Sequence, residues 1–538
     1  MMTHRNLFVL FLVLAPALVT GGILCIAGNA SDGIRLGLLS LPGSWLMYLG
    51  ISRPVLYWKV AAIVWWSIFL GDACIRSLSW FVYQSDTDAY FIVQAIANTT
   101  RQETIEFFQF HARSLVLSTL IFFFGLTGYF WFCFGQPIHK LWSQLFQVRL
   151  NRYFCSFLGV LTLASYLIEP SRAQHPVVYW SDYYSKIQNF KSQISTHKQL
   201  HHVWLDTAQH NLILDPQQPL SQTHTLMITD SVTSKNFGVC GYPRNTTPEL
   251  EKYSASFKIF CNAFSPAAST IGALKMKLTE ATQVEQPNYS TESLLAYAKV
   301  AGFKVYWISN QNDSYISSLF GSFVDEQIYT NHRSGRSSTS FDENLLPVYQ
   351  EILKRPEAKK LIIVHMIGAH PNYQLRYPEQ FNRFSSDTSD VVETQLEQKN
   401  IGMLVQQQRN YYDNNILYQD WLLKRFFQSL QKNDHAERRS FVFVSDHGNE
   451  VGHEINFAGH SPNTQAGYQV PLVVWYDGIQ DTGVNLDKQI NTADLDTLMM
   501  ELMGLHERNE TSHSSLLSHN YLFKPSSSWP YWKPVPTS

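Results

Sequence analysis

Two uncharged apolar stretches, Leu7–Ala27 and Ser114–Ile138, limit what this chain can fold into. Runs of roughly 20 apolar residues are long enough to cross a bilayer as helices. We interpret three weaker runs as further spans: Leu36–Ile51, Pro54–Ile75 and Tyr153–Ile168. A run of about 16 apolar residues can also be a buried core helix. Because these runs cluster with two clear spans, the sequence predicts an α-helical transmembrane domain of about five spans at 1–169.

Basic residues predict the orientation of this domain in the membrane. If the N-terminus is cytoplasmic, the inner loops hold Arg53 and Lys59, then Lys140, Arg149 and Arg152. Basic loop residues favour the cytoplasmic side, and an odd number of spans then exports the rest of the chain. The first span could instead be a cleaved signal peptide, but its apolar run is long for one. The formal net charge of −2 gives no indication of a nucleic-acid partner.

The exported part divides by composition into a linker, a folded domain and a tail. Residues 170–220 are polar and predict a linker with short helices, while 526–538 are rich in Pro and Ser and predict an irregular tail. Between them, at 221–525, strand-like and helical runs alternate, which predicts an α/β/α sandwich. The strand-like runs are His224–Thr229, Phe303–Ser309, Lys360–Gly368, Ser440–Ser445 and Gln469–Tyr476. The helical runs are Thr291–Ala301, Leu345–Lys354, Asn415–Gln431 and Ala493–Gly504.

One of these strands ends in the tripeptide Asp446-His447-Gly448. In open α/β sheets, the carboxyl ends of the strands are where sites form. Asp and His are both zinc ligands, and the glycine lets the backbone turn away. Taken alone, the motif is equally consistent with a polar turn after a strand.

Four more residues turn this motif into a candidate constellation: Asp230 at another strand end, Thr270 in a small-residue stretch, and His370 and His460 in loops. Singly, they could be helix caps or loop histidines. Together they favour a metal-centred hydrolase or transferase. A threonine hydroxyl is a weak nucleophile that a bound zinc ion activates by lowering its pKa, and nearby histidines can stabilise phosphoryl oxygens or protonate a leaving oxygen.

The cysteines give one structural expectation. Only Cys240 and Cys261 lie in the exported part, where they could form one disulfide in an oxidising compartment. The chain has no Cys-x-x-Cys, so a zinc site built from cysteines is not expected.

At this point the chain resembles the membrane-bound phosphoethanolamine transferases of Gram-negative bacteria, which belong to the alkaline phosphatase and sulfatase superfamily. The resemblance covers nearly the whole chain, as five spans, a linker and a catalytic domain, and the matching motifs follow one another in the family's order. They are Gly241–Leu250 (GYPRNTTPEL), Trp307–Gln311 (WISNQ), His365–His370 (HMIGAH), Arg376–Pro378 (RYP), Tyr412–Asn414 (YDN), Ser445–Gly448 (SDHG) and Val470–Trp475 (VPLVVW). The resemblance implies a catalytic domain of the alkaline phosphatase and sulfatase type after the spans.

The resemblance also implies a metal site and a nucleophile. Thr270 would become modified by phosphoethanolamine, and Asp230, Asp446 and His447 would hold zinc with Thr270 as the fourth ligand. Members of the family usually have Gly-Glu-Ser where this chain has Thr229-Asp230-Ser231. Aspartate is a competent ligand that is one methylene shorter, so the strand must lie closer to the metal or the metal must shift.

Roles in substrate binding are implied for three further residues. His370 and His460 would contact the phosphoryl group or a second zinc ion. Glu103, in the predicted outer loop, matches a family glutamate implicated in binding the lipid donor, although a solvated helix face is the simpler interpretation of that position. No cysteine pair flanks Thr270, which places the chain nearer the branch that modifies the lipopolysaccharide core than the lipid A branch.

The resulting expectation is a monomeric, multi-pass inner-membrane enzyme with a periplasmic zinc domain. It would transfer phosphoethanolamine from phosphatidylethanolamine to lipopolysaccharide, at the core or at lipid A, with one or two zinc ions. Two alternatives stay open. A phosphoglycerol transferase of the same superfamily is similar in its spans and its threonine nucleophile. A non-catalytic membrane protein with a degenerate site would also accommodate Asp230 in place of glutamate.

Overall fold

The computed structural model of the chain describes the backbone of residues 4–52, 56–83, 85–88, 92–93, 96, 99, 101–135, 149–279, 293–311, 314–331, 340–385, 390–479, 483–508, 515–518, 521–526 and 529. Within these ranges, the side chains of residues 4–13, 48, 51–52, 101–103, 149–155, 190, 193–200, 314–315 and 318 are not described. The chain forms two compact units, one of residues 1–93 and 107–189 and the other of 94–106 and 190–538.

Up to Asn211 the described chain is helical, with α1 (His4–Ala27), α2 (Ala30–Ser40), α3 (Pro42–Ser52), α4 (Leu56–Tyr83), α5 (Arg101–Phe110), α6 (Ala112–Phe134), α7 (Arg149–Leu167), α8 (Glu169–Arg172) and α9 (Pro176–Asn211). Two of the described helices, α4 and α6, are long and apolar enough to cross a membrane. The candidate span Leu36–Ile51 is divided between α2 and α3. Five spans therefore stay a prediction.

The predicted linker differs from the expectation of short helices. A single helix, α9, runs for 36 residues from Pro176 to Asn211. Proline is tolerated at a first helical position because its missing N–H has no partner there. After Pro176 the helix contains no further proline and no glycine, so no residue of this segment interrupts it.

The second unit is built on an eight-stranded sheet in the described part of the chain. Its order is β11-β3-β10-β7-β2-β6-β4-β5, and only β10 runs antiparallel to its neighbours. The described strands are β1 (Leu212–Leu214), β2 (Gln222–Thr229), β3 (Lys258–Phe264), β4 (Lys304–Ser309), β5 (Glu326–Tyr329), β6 (Lys359–His365), β7 (Arg438–Ser445), β8 (Glu450–Val451), β9 (Ala458–Gly459), β10 (Gln469–Asp477), β11 (Ile490–Asn491) and β12 (Leu505–Glu507).

Helices cover this sheet, as an α/β fold requires. They are α10 (Pro248–Lys252), α11 (Thr270–Leu278), α12 (Leu294–Val300), α13 (Ser314–Phe320), α14 (Leu345–Leu353), α15 (Val391–Gln398), α16 (Met403–Asn433) and α17 (Leu495–Met503). The central strand β2 is buried at every position. Helices α14 and α16 pack around one hydrophobic core that includes Met227 of β2, Tyr349 and Phe426. The α/β expectation for this part of the chain is confirmed.

All five predicted strands are present, and one of them ends earlier than expected. The run Lys360–Gly368 continues as a strand only to His365, because Gly368 turns the chain with φ +60°. A Cβ atom at Gly368 would lie 2.4 Å from Thr229 Oγ1 and 2.5 Å from the Asp230 backbone, so only glycine fits this turn. The turn thus packs directly against the end of β2.

Candidate metal centre

The sheet brings the two acids of the predicted metal site side by side. Strands β2 and β7 are parallel, with Thr229 opposite Ser445, so Asp230 and Asp446 follow at the same edge. Both carboxylates and the His447 ring are fully buried. Strand β3 runs in the same direction as β7 and leads to the segment that carries Thr270. The carboxyl ends of three strands therefore supply the predicted ligands and nucleophile.

The donor atoms of this cluster fit a metal ion. Asp446 Oδ1 accepts the backbone N–H groups of Ser231 at 2.9 Å and His447 at 2.6 Å. Its second oxygen, Oδ2, and His447 Nε2 are buried and make no hydrogen bond. Buried polar atoms nearly always have a hydrogen-bond partner. Asp446 Oδ2 and His447 Nε2 lie 3.7 Å from each other, so the two atoms are placed to bind one cation. A carboxylate oxygen and an imidazole nitrogen are zinc ligands.

His460, which was predicted to contact the phosphoryl group or a second zinc ion, lies in this cluster. Candidate ligand atoms of Asp230, His447 and His460 all lie within 4.8 Å of one another. His460 Nε2 also lies 3.1 Å from Ser231 Oγ. Its ring centroid is 4.6 Å from that of His447 and 5.8 Å from that of His370. His460 is therefore close enough to the acid and to His447 to be a ligand itself, and His370 lies next to His460.

Thr270 begins helix α11 and has its hydroxyl at the cluster. Its Oγ1 lies 3.5 Å from Asp230 Oδ2. The N-cap position is held by Ser269, so Thr270 does not serve as the cap residue. The side chain is 5% exposed, which leaves little room for water around the hydroxyl. This arrangement suits a nucleophile beside a metal more than a capping residue.

The electrostatics of the site also favour a cation. Burial raises the pKa of Asp446, and the neighbouring Asp230 carboxylate raises it further, while His447 and Lys277 oppose the rise. Two carboxylates buried this close repel each other unless positive charge compensates them. Lys277, on helix α11, is fully buried and donates to Ser445 O at 2.6 Å. Burial lowers the pKa of Lys277 to about 7, although the Asp446 carboxylate opposes the fall, so this lysine alone does not compensate both carboxylates.

Two residues without an assigned role hold Asp230 in place. Ser231 Oγ donates to Asp230 Oδ1 at 2.5 Å, and Gln311 Nε2 donates to Asp230 Oδ2 at 3.1 Å. Ser231 has φ +63°, a conformation that costs energy for a residue other than glycine and that is common at functional sites. Gln311 ends the WISNQ motif, so the sequence signalled its importance but not its contact.

Asp342 fixes the turn that carries His370. Its carboxylate accepts the backbone N–H groups of Ile367 at 2.8 Å and Gly368 at 2.9 Å. Asn310 and Gln419 donate to the same carboxylate. Four donors on one buried acid fix the turn, although burial still raises the pKa of Asp342.

Two other expectations have different outcomes. Cys240 and Cys261 are joined in a disulfide, with their Cα atoms 5.6 Å apart. Glu103 lies in α5, but its side chain is outside the described residues, so its predicted role stays a prediction.

Comparison with known proteins identifies the family. The sulfatase family model matches residues 222–505, more than half of the chain, so the protein belongs to the sulfatase family. Phosphoethanolamine transferase EptC of Escherichia coli K12 is 30% identical over 336 residues, which are 58% of this chain and 56% of the relative. CptA of Salmonella typhimurium, also a phosphoethanolamine transferase, is 29% identical over 302 residues, or 53% of this chain and 51% of the relative. The predicted resemblance is confirmed, although the chain spans only about half the length of these relatives.

Solved structures give the same fold. The crystal structure of the C-terminal periplasmic domain of Escherichia coli EptC in complex with Zn has 27% identity and a TM-score of 0.52, and the match covers 58% of this chain and 90% of that domain. The integral membrane phosphoethanolamine transferase EptA of Neisseria meningitidis has a TM-score of 0.59 and covers 92% of this chain and 95% of its own. At 16% identity, that second likeness concerns the fold alone.

Proposed function

We propose that this protein transfers phosphoethanolamine from phosphatidylethanolamine to lipopolysaccharide through a covalent intermediate on Thr270. The single observation that carries the proposal is the position of the Thr270 hydroxyl, 3.5 Å from Asp230 in a buried cluster with the unsatisfied atoms of Asp446 and His447. The names and Zn complex of the relatives support both the reaction and the metal.

The chemistry divides into two half-reactions at one site. Zinc, when bound by Asp230, Asp446 and His447, would lower the pKa of the threonine hydroxyl and offset charge on the phosphoryl oxygens. Thr270 Oγ1 attacks the donor phosphorus, a new O–P bond forms, and the bond from phosphorus to the diacylglycerol oxygen breaks. The departing oxygen takes a proton from His370 or His460. A sugar or lipid hydroxyl of the acceptor then attacks the same phosphorus and gives its proton to the histidine that lost one in the first half-reaction. The new acceptor O–P bond forms as the bond from phosphorus to Thr270 Oγ1 breaks, which frees Thr270.

The location of donor and acceptor supports a membrane-anchored enzyme. Both are membrane lipids, and two described helices are long and apolar enough to cross a bilayer. We place the protein in the inner membrane with its catalytic unit in the periplasm, where the Cys240–Cys261 disulfide would persist. We propose a core sugar as the acceptor, because Thr270 lacks the flanking cysteines of the lipid A branch.

The test is the intact mass of the full-length protein, reconstituted with zinc and phosphatidylethanolamine but without acceptor. We expect an adduct of roughly 123 Da, the mass of a phosphoethanolamine group that replaces one proton. Thr270→Ala should abolish it. Thr279→Ala is the matched control, because the buried Thr279 caps the opposite end of α11 from Thr270 and its hydroxyl donates to Lys275 O.

Three outcomes would contradict the proposal, in whole or in part. A zinc-loaded protein that accepts only a phosphoglycerol group, from phosphatidylglycerol, would be a phosphoglycerol transferase. A protein that binds no zinc and forms no adduct would be non-catalytic. An adduct that persists in Thr270→Ala would leave the reaction but exclude Thr270 as the nucleophile.

A further inference from the structure

The segment between β3 and α11 leads to Thr270, and its own side chains are small. Residues 265–269 have the sequence Ser-Pro-Ala-Ala-Ser, and they lie in no helix or strand. A buried segment without regular structure must find partners for its backbone groups elsewhere in the protein. The position of this segment, and with it that of Thr270, therefore depends on the residues that surround it.

Ser265, the first residue of this segment, connects it to the metal centre. Its backbone N–H donates to Tyr468 O at 2.7 Å, and its hydroxyl donates to Asp446 O at 2.5 Å. Ser265 is fully buried, so water does not compete for these bonds. The segment that ends in the predicted nucleophile is thus bonded to the backbone of a predicted metal ligand.

The C-terminal part of the chain supplies a third bond to Ser265. We call the described residues 521–526 and 529 the C-terminal strap. Trp529 donates its indole N–H to Ser265 O at 2.8 Å, and Ser526 Oγ donates to Pro266 O at 3.2 Å. The strap therefore binds two consecutive carbonyl groups of the segment that leads to Thr270.

Aromatic packing holds the Trp529 side chain in place. Trp529 is buried in a hydrophobic cluster with Phe264, Ala268 and Tyr468. Its ring centroid lies 5.9 Å from those of Phe264 and Phe523 and 6.2 Å from that of Tyr468. Aromatic rings at these separations attract one another beyond the effect of their buried area. The N–H group that binds Ser265 therefore belongs to a side chain with a fixed position.

The strap is also bonded to the edge of the main sheet. Asn491 of β11 lies opposite Phe264 of β3, and its side chain donates to Lys524 O at 2.9 Å. The Tyr521 hydroxyl accepts the backbone N–H of Asn491 at 3.1 Å. The strap therefore links the segment before Thr270 to a strand of the sheet.

We propose that Trp529 is a positioning residue for the nucleophile. Through Ser265 it fixes the segment that carries Thr270 relative to Asp446, and so aligns the hydroxyl for attack on the donor phosphorus. A displacement of about 1 Å at such a site can lower the rate on the order of 100-fold. This inference rests on the proposed function and gives the C-terminal strap a role in its first half-reaction.

The experiment measures the rate at which Thr270 is modified in the full-length protein, in nanodiscs with zinc and phosphatidylethanolamine but without acceptor. Trp529→Phe keeps an aromatic ring and removes the N–H donor. We expect adduct formation per zinc-loaded molecule to slow about tenfold at saturating donor. The donor concentration that gives the half-maximal rate should change by less than about twofold. Ser526→Ala, which removes one hydrogen bond and little volume, should slow the reaction about threefold.

Hydrogen exchange gives a second measurement that does not depend on the reaction. The backbone amides within residues 265–270 should exchange faster in Trp529→Phe than in the wild type. Those of the buried strand β2 should exchange at the wild-type rate, because the fold itself is retained. General destabilisation would instead accelerate exchange in both places.

The matched control is Trp475→Phe, the same substitution in the same sheet. Trp475 packs against Phe427 and lies opposite Phe441 of β7, towards the end of that strand away from Asp446. Equal slowing in Trp475→Phe would overturn the inference, as would wild-type adduct rates in both Trp529→Phe and Ser526→Ala. If Trp529→Phe does not fold, Ser526→Ala decides between these outcomes. A wild-type protein that forms no adduct would overturn the proposed function, whereas hydrogen exchange would still test whether the strap fixes the segment.

Discussion

At the scale of single residues, Asp230 stands where the resemblance to the transferases implies a glutamate. A carboxylate one methylene shorter than glutamate has less reach, and its orientation then depends on its neighbours. Ser231 and Gln311 each donate to one oxygen of Asp230. The strained backbone of Ser231 places its hydroxyl between Asp230 and His460. The site therefore combines a short ligand with two donors that fix its orientation.

We predict that Gln311→Ala lowers zinc affinity by about 10–100-fold, the usual effect of losing a residue that orients a metal ligand. Gln311 Nε2 also donates to Met366 O at 2.5 Å, so a second hydrogen bond fixes the position of this amide nitrogen. The measurement is competition with a chelator for zinc, followed by metal analysis of the full-length protein.

Gln222→Ala is the control for this prediction, because Gln222 is also a buried glutamine but begins β2, at the opposite end of the strand from Asp230. Equal zinc loss in both variants would mean that the effect is general destabilisation. Unchanged zinc affinity in Gln311→Ala would show that Asp230 is oriented without it.

At the scale of elements, helix α16 organises much of the catalytic unit with polar side chains. Tyr412 accepts the Thr233 N–H and donates to Ser231 O, both beside the metal cluster. Asn415 bonds the His370 turn, and Gln419 contacts Asp342. Asp420, one residue further, accepts the first N–H groups of α10. Buried hydrogen bonds of this kind specify the relative positions of elements.

We predict that Asp420 makes the stability of the protein pH-dependent. Burial raises its pKa to about 7, against the opposing effect of the Glu249 and Leu250 N–H donors. Between about pH 4 and 7 the folded state then holds a proton that the unfolded state has lost. The contribution of the Asp420 carboxyl to the free energy of unfolding is therefore complete below about pH 4 and is lost as the pH rises through 7.

The variant Asp420→Asn stays neutral at every pH, so it should lose this dependence. One pKa unit corresponds to about 1.4 kcal/mol. We therefore expect the free energy of unfolding of the variant, minus that of the wild type, to be at least ~1 kcal/mol higher at pH 8 than at pH 5. Asp477→Asn, with a 53% exposed carboxylate, should show no such difference. Parallel pH profiles of the wild type and Asp420→Asn would contradict the prediction.

At the scale of the whole molecule, the chain combines a helical unit and a catalytic unit. The proposed function depends on the side of the membrane on which the catalytic unit lies. Both substrates of the proposed reaction are lipids, so the catalytic unit must be exported while the chain stays anchored. Two described helices meet the length and hydropathy of membrane spans, and the other predicted spans rest on the sequence.

We predict that reporters fused after residue 145 are cytoplasmic and that reporters fused after residue 175 are periplasmic. The odd number of spans and the basic residues at Lys140, Arg149 and Arg152 require this change of side. Green fluorescent protein, which reports the cytoplasmic side, and alkaline phosphatase, which reports the periplasmic side, should give opposite signals at the two positions. A cytoplasmic signal from both fusions would remove the fifth span and place the catalytic unit in the cytoplasm.

The sequence alone determined the residue types of the site and the class of the fold. Short apolar runs that end in Asp230 and in Asp446-His447 predicted strand ends at one sheet edge, because parallel strands bring their carboxyl ends together. The same patterns missed β3, in which buried and partly buried residues do not alternate, and the first half of α16. In α16 the buried side chains include Arg409, Asn410 and Asp413, so hydrophobic periodicity could not mark its start.

Only the tertiary structure decided which distant residues act together. Gln311 at Asp230, Lys277 at the Ser445 carbonyl and the Glu106–Arg376 pair are polar contacts between residues far apart in sequence. Such contacts leave no periodic trace, since each depends on the packing of whole elements rather than on local spacing. His460 likewise comes from a loop after the short strand β9, and its approach to Asp230 and His447 follows from the path of that loop. Local pattern therefore fixed the chemistry that is available, and the packing of the sheet and helices fixed the geometry in which it is used.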